Sequence, residues 1–453
     1  MIAIPYQGSS PVERASRSIG SDHDDSACRV VAGEVVCLTR CQSDRPGGVL
    51  RVNPWNGGAT MTGNVDVAVV GGGYAGVMAA NRLTQRGDVA VTLINPRRTF
   101  VERIRLHQVV GGSHEAVVDY REVLAEGVRL VVDTVTRIDA AERSVTVAAG
   151  GTIGYDYLIY AVGSGSADPD VPGAAEFAYP IASMEDAQRL RPVVDAAPTT
   201  APVTVVGAGP TGIETAAELA EAGRVVTLVC GGPLGPYLHA RGRRSVAKRL
   251  ARLGVTVLEG LDTTVTAVTR DAVRLGGGRE VSSAVTIWTA GFGVPDLAAR
   301  SGLSTDALGR LLTDETLTSV DDARIVAAGD SAAPSDLPFR MSCQAATRIG
   351  AHAADTVLAR IAGEQPAPIN LGFFGQCISL GRRAGIFQFA SKDDTAIGWY
   401  IGGGPGAKLK EFVCKQTVKH LADEASKPGS LTWVKDDKRQ ELLRARRGEA
   451  ATR

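Results

Sequence analysis

The chain has 453 residues, with 49 Lys plus Arg balancing 49 Asp plus Glu. That is enough chain for two or three domains with large cores, and its even charge offers no positive face to a phosphate backbone, which excludes nucleic acid as the main partner. Fifty-three glycines in a chain that is 44% hydrophobic and 5% aromatic call for many tight turns or close backbone approaches.

Residues 1–60 mix Ser, Asp, Arg, Pro and Gly with short apolar pairs and hold no period of 2 or 3.6, so a disordered leader is expected there, with Met61 as an alternative start. No basic segment followed by an apolar core marks a signal peptide. From Val65 the pattern is strand, glycine turn, helix, strand: Val65–Val70, then a small-residue helix from Tyr74 to Arg86, then Val89–Ile94, which is a β-α-β unit. Strands at 128–135, 144–147 and 157–162 follow as a meander. A second β-α-β unit begins with a strand at Val203–Val206, a helix from Thr211 to Gly223 and a strand at Val225–Val229, followed by a basic helix and a strand at Val255–Leu258. Beyond Arg324 come a short strand, a long helix from about Ser342 to Ile361, and a hairpin of Gln376–Leu380 with Ile386–Ala390. The last segment carries eight of the nine lysines, with an amphipathic stretch from Ala407 to Leu421. Its Lys408, Lys410, Phe412, Val413, Lys415, Val418 and Lys419 suit either an anionic membrane surface or the protein's own core.

The first loop reads Gly71-Gly72-Gly73-Tyr74-Ala75-Gly76, a G-x-G-x-x-G after a strand and opening a helix. Gly71 allows the tight turn, Gly73 lets a pyrophosphate approach the backbone, and Gly76 lets helix and strand pack, with the helix N-terminus supplying partial positive charge. Gly207-Ala208-Gly209-Pro210-Thr211-Gly212 repeats the pattern in the same context, with Gly207, Gly209 and Gly212 in the three roles. Two dinucleotide sites in one chain point to two different dinucleotides, and hydride transfer between them is the ordinary reason. A third feature is Ala328-Gly329-Asp330 after a short apolar strand. Asp330 suits sugar-like hydroxyls, because a carboxylate accepts charge-assisted hydrogen bonds, though Asp330-Ser331 could equally cap a turn.

In this order the motifs resemble those of the two-dinucleotide-binding-domain flavoproteins, and more narrowly the type II NADH:quinone dehydrogenases and their apoptosis-inducing-factor-like relatives. The matching residues run from Gly71, Gly73 and Gly76 through Ala161-Val162-Gly163-Ser164, then Gly207, Gly209 and Gly212 with Glu214, Thr289-Ala290-Gly291, and Gly329-Asp330. The resemblance implies an α/β fold of two Rossmann-like domains plus a small α+β C-terminal domain. It implies FAD on the first loop and NADH or NADPH on the second, and it places Gly163, Gly291, Gly329 and Asp330 around the cofactors. The implied boundaries are an FAD-binding domain at 61–165 and 295–365, an NAD(P)H-binding domain at 166–294, and a C-terminal interface domain with a basic tail at 366–453. Glu214 is implied to orient the nicotinamide and the helix starting near Ser342 to stabilise the reduced flavin. His107 falls in the segment that passes near the flavin ring.

The pattern also departs from the family. The acid expected after the second strand of each unit, where it binds ribose hydroxyls, is Asn95 at the first site and Cys230 at the second. Arg97 and Arg98 follow Asn95 and can offset its lost charge. Arg241, Arg243 and Arg244 lie downstream of Cys230, which leaves NADPH as open as NADH. Disulfide reductases of this fold carry a cysteine pair, yet nothing lies between Cys41 and Cys230, so no dithiol relay is expected. Six dispersed histidines and the cysteine spacing give no metal site. The quinone motif of two glutamines keeps Gln344 and Gly350 but has Arg348 in the second glutamine's place. The expected function is thus an FAD-dependent NAD(P)H dehydrogenase of the cytoplasm or its membrane face, reducing a quinone or another small acceptor. A nucleotide-binding sensor without turnover, or a reductase of a small redox protein, is the alternative.

Overall fold

The computed structural model describes residues 28–31, 34–37 and 64–451. Within the expected leader, Cys28–Val31 and Glu34–Cys37 pair as an antiparallel hairpin, an element the sequence reading did not foresee. The rest of that leader lies outside the described residues.

The first sheet begins with β1 (Val65–Val70), followed by α1 (Tyr74–Leu83), β2 (Val89–Asn95), β3 (Val128–Val132) and β4 (Tyr157–Tyr160). These strands are Val, Ile and Leu runs because helices or strands cover both faces of a parallel sheet; Val67, Val69, Leu93 and Ile159 are all buried. The stretch read as one strand at 128–135 is two, broken at Asp133-Thr134, with Val135–Asp139 joining a separate three-stranded sheet.

The second sheet uses β5 (Ala178–Pro180), β6 (Pro202–Val206), α2 (Pro210–Glu221), β7 (Val225–Val229), α3 (Ala240–Arg252), β8 (Thr256–Leu258) and β9 (Val285–Trp288), in the order β5-β9-β6-β7-β8. β10 (Ile325–Ala327) then returns to the first sheet beside β4, giving the order β10-β4-β1-β2-β3. The first sheet is therefore completed by a strand from beyond the second. Helix α4 (Cys343–Ile361) packs on α1. Small residues permit this close approach: a Cβ on Gly350 would stand 2.2 Å from the Ala75 carbonyl oxygen.

The C-terminal segment forms an antiparallel sheet of β11 (Gly375–Ser379), β12 (Gly385–Ala390) and β13 (Ala396–Gly402), then α5 (Gly403–Ser426). The sequence reading lacked β13, whose four glycine and aromatic residues obscure its alternation. Helix α5 is longer than the amphipathic stretch. It buries Lys410, Cys414, Thr417 and Leu421 against the protein and exposes Phe412. Of the two readings of that stretch, the protein's own core thus takes one face. No helix among the described residues is long and apolar enough to cross a membrane.

Candidate functional site

Both glycine loops sit at the carboxyl ends of parallel strands, each on the edge of one large cavity of about 1840 Å³. Within each loop the glycines divide into two kinds. Gly71 and Gly207 have φ of +106° and +126°. A Cβ there would meet the Ala161 carbonyl oxygen at 2.3 Å and Thr289 Oγ1 at 2.4 Å, respectively. On Gly76 a Cβ would stand 1.8 Å from the Gly71 oxygen, and on Gly212 it would stand 2.0 Å from the Gly207 oxygen. These four glycines are required by the protein's own packing. Gly73 and Gly209 are not: their φ values are −83° and −75°, and a Cβ on either meets nothing within 4 Å. Neither strain nor protein contact explains glycine at these two positions, and both leave the backbone open to close approach by a group such as a pyrophosphate.

The helix ends agree. Helices α1 and α2 start at Gly73 and Gly209 without a side-chain cap and without an acid in the first turn, leaving amide donors free for an anion. By contrast α4 is capped by Ser342, whose Oγ accepts from Ala345 N at 3.2 Å.

Around the first loop, Asn95 is buried and braces the turn: its Oδ1 accepts from Gly72 N at 3.0 Å and its Nδ2 donates to the Arg97 carbonyl at 3.0 Å. Tyr120, which no sequence motif marks, donates from its hydroxyl to the Gly72 carbonyl at 2.8 Å. Arg97 lines the cavity and is held by Glu185 at 2.7 and 2.5 Å. Arg98 is exposed and does not line it.

Asp330 lines the same cavity, accepting from Ser164 Oγ at 2.7 Å with Arg103 Nη1 at 3.8 Å. Burial raises its pKa against the opposing pull of Arg103 and Ser164. Gly163, at φ +72°, lines the cavity beside Ser164. Gly329, at φ +70°, is buried behind Asp330 with Ala75 Cβ only 2.8 Å from a virtual Cβ. An extended sugar-alcohol chain with a pyrophosphate fits these donors and acceptors, which is the test the FAD reading has to pass.

Around the second loop the cavity wall includes Cys230, Pro236, Tyr237, Trp288, Thr289, Ala290 and Gly291. Burial pushes the Cys230 thiol up to about 12, so the position of the usual acid carries no charge at neutral pH. Arg241, Arg243 and Arg244 do not line this cavity.

Glu214 projects from α2 into the cavity floor and is buried. Its Oε1 accepts from Lys410 Nζ at 2.9 Å and from Ser379 N at 2.9 Å. Burial pushes this carboxyl upward, but Lys410 and the other partners outweigh it and bring its pKa below the usual range. Burial opposes the Lys410 charge as well, yet Glu214 holds its pKa well above the ordinary lysine value. His107 Nδ1 lies 3.6 Å from Glu214 Oε2, too far for a hydrogen bond, and burial drives its pKa down to about 4. It is a neutral imidazole at physiological pH. Lys410 could have been found in the sequence only by its place on the inner face of α5.

At the start of α4, Gln344 lines the cavity and its Nε2 is buried without a partner, as is Arg348 Nε. Arg348 Nη1 donates to the Gln344 carbonyl at 2.5 Å, so the residue replacing the second glutamine stays beside the first. Cys230, Cys343, Cys377 and Cys414 are free thiols.

A family model for pyridine nucleotide-disulphide oxidoreductases matches residues 65–351. An NADH dehydrogenase-like protein of Mycobacterium tuberculosis is 30% identical over 354 residues, covering 71% of this chain and 87% of that one. A type II NADH:quinone oxidoreductase of the same organism is 30% identical over 346 residues, covering 66% of this chain and 74% of its own. The solved structure of NDH2 from Plasmodium falciparum in complex with NADH superposes with a TM-score of 0.67 at 16% identity, covering 80% of this chain and 98% of that one. This last likeness is one of fold.

Proposed function

This chain belongs to the pyridine nucleotide-disulphide oxidoreductase family, and on that premise we propose that it is a type II NADH dehydrogenase that holds FAD at its first glycine loop and NADH at its second, and reduces a quinone. One observation carries the reading: both loops, each with an open second glycine and an uncapped helix, border the same cavity. FAD, when bound, supplies the acceptor for the nicotinamide's hydride and the donor to the second substrate.

In this reading the amides at the starts of α1 and α2 bind the two pyrophosphates. Asp330, fixed by Ser164 and facing Arg103, takes the sugar-like hydroxyls. Arg97, held by Glu185, and the Asn95–Tyr120 brace shape the adenosine end of the first site. Cys230 leaves the usual acid's preference for NADH unmade, but Arg241, Arg243 and Arg244 stand outside the cavity wall, so a 2′-phosphate finds no cation from them, which favours NADH over NADPH. Gln344 Nε2 has hydrogen-bonding capacity to spare for an acceptor carbonyl. Lys410 holds a proton at Nζ where a quinone taking up electrons would need positive charge, and Glu214 keeps that ammonium charged despite burial. Phe374 and Phe412 line the same cavity while 45% and 57% exposed, an apolar mouth that suits a quinone and peripheral contact with a membrane. The division into an FAD unit at 61–165 and 295–365, a nicotinamide unit at 166–294 and an interface unit from 366 belongs to the same proposal.

Anaerobic titration tests this directly. The purified protein is expected to be yellow, to bleach with NADH much faster than with NADPH, and to recover its colour on adding a short-chain quinone. A colourless protein, or a yellow one that NADH does not bleach, refutes the assignment in favour of a nucleotide-binding protein without turnover. Bleaching without recovery by any quinone refutes the acceptor alone.

A further inference from the structure

The arginines downstream of Cys230 stand outside the nicotinamide cavity, but three basic residues of α3 are gathered elsewhere. Arg241, Arg244, Ser245 and Lys248 follow one another at i, i+3, i+4 and i+7, so they share one helical face. That face lies against β13 at ordinary contact distance. A Cβ on Gly398 would stand 3.9 Å from Arg241 Nη1, and one on Gly402 would stand 3.5 Å from Ser245 Oγ. Between helix and strand runs a groove of about 670 Å³ walled by Arg241, Arg244, Ser245, Lys248, Gly398, Trp399 and Tyr400.

Its charge is uncompensated. Among the described residues none of Arg241, Arg244 and Lys248 is paired with a carboxylate, and the 13 residues of α3 include no acid. Arg249, at the flank of that face, is by contrast paired with Glu221 at 2.6 Å. The N-terminal turn of α3 adds its own positive potential to Arg241 and Arg244. The wall opposite is aromatic: Trp399 is 77% exposed, an unusual state for so large an apolar ring.

We propose that this groove binds a soluble nucleoside polyphosphate, its phosphates on Arg241, Arg244 and Lys248 and its base against Trp399. Guanidinium and ammonium groups give phosphate its strongest hydrogen bonds, and an exposed indole is a stacking platform for any base. A groove walled on both sides takes a ligand much smaller than a bilayer face, which sets it apart from a membrane contact. The position also has a consequence for the enzyme. Strand β13 runs directly into α5, the helix that carries Lys410, so a ligand bridging α3 and β13 grips the strand leading to the cavity floor.

The test is a titration of ATP into the full-length flavoprotein, read by tryptophan fluorescence, with saturating NAD+ present so that the second glycine loop is already occupied. Saturable quenching is expected, absent in Trp399→Phe. Half-saturation should weaken at least about tenfold in Arg244→Glu/Lys248→Glu, with the flavin spectrum and far-UV circular dichroism of both variants unchanged. Inorganic pyrophosphate should compete with ATP without quenching. The proposal is overturned if ATP gives no saturable signal, if the signal survives Trp399→Phe, or if the charge reversals leave half-saturation unchanged. It is equally overturned if phosphatidylglycerol vesicles, but not ATP, engage the groove in a charge-dependent way.

Discussion

Replacing Glu214 by glutamine isolates a buried ammonium, and the cost can be worked from the geometry. Lys410 Nζ and Glu214 Oε1 are 2.9 Å apart, with side chains only 9% and 8% exposed. At an effective dielectric constant of about 20 their attraction is roughly 6 kcal/mol, which offsets a desolvation penalty of several kcal/mol per ion. Glutamine keeps an acceptor for the Ser379 amide but removes the charge that compensates Lys410. The expected loss is about 3–5 kcal/mol at neutral pH.

The pH dependence supplies a second, sharper reading. In the wild-type protein Glu214 titrates below its ordinary range and Lys410 above its own. The pair's contribution is therefore complete between about pH 4.5 and 10.4, lost on acidification through the lowered carboxyl pKa, and lost in alkali through the raised lysine pKa. In the variant the sign for Lys410 inverts: burial without a partner lowers its pKa, so in that window the unfolded chain binds more protons than the folded one. Stability then rises with pH, by up to about 1.4 kcal/mol per unit, until the unfolded lysine titrates near 10.4. Urea denaturation followed by far-UV circular dichroism at pH 7 and pH 9 measures both effects. Glu214→Gln/Lys410→Met, which removes the orphaned charge, should recover most of the loss. A single variant with the wild-type midpoint at both pH values would refute the coupled, buried pair.

Three further outcomes follow from the cavity. Gly73→Ala should fold normally, since its Cβ meets nothing, yet retain less flavin, whereas Gly76→Ala should fail at folding because its Cβ would lie 1.8 Å from the Gly71 oxygen; flavin absorbance per folded protein separates the two. Asp330→Ala should weaken flavin binding by about 1.5–3 kcal/mol, the worth of hydrogen bonds to a charged group, measured by flavin retention on dilution. Gln344→Leu should leave the rate of bleaching by NADH unchanged while raising the KM for quinone; an equal fall in both half-reactions would place Gln344 at the nicotinamide instead.

Local motifs made most of the scaffold readable. Two strand–glycine–helix units announce themselves because a tight turn and a helix start impose glycine at fixed offsets, and Asp330 follows a short apolar strand that could be read in the same way. What stayed hidden depends on contacts between segments distant in sequence. The place of β10 beside β4 is set by sheet completion rather than by any property of residues 325–327, and Lys410 meets Glu214 only because the fold brings α5 back to a residue 196 positions earlier in the chain. Tyr120 is a tyrosine in a four-residue helix, and its hydroxyl has meaning only beside the Gly72 carbonyl. Strand β13 escaped notice because glycine at 398 and 402, with Trp399 and Tyr400 side by side between them, breaks the alternation that marks a strand.

The absent acid after β2 illustrates how a motif position can change its task. By family logic Asn95 is a weakened ribose reader, and Asn95→Asp ought to tighten the flavin. The structure argues the opposite. Oδ1 already accepts the Gly72 amide, and Nδ2 donates to the Arg97 carbonyl at 3.0 Å. An aspartate would keep the first bond but set a carboxylate oxygen against a carbonyl oxygen, in a side chain that is 6% exposed in the wild-type protein. Losing the donor and leaving an acceptor unsatisfied costs about 1–3 kcal/mol, and the Arg97 backbone must shift, disturbing the side chain that Glu185 holds at the cavity edge. Asn95→Asp is therefore expected to lower the denaturation midpoint without improving flavin retention. A variant that binds flavin more tightly at unchanged stability would return Asn95 to the role of a substituted ribose ligand, and would show that the loop keeps its shape without the amide brace.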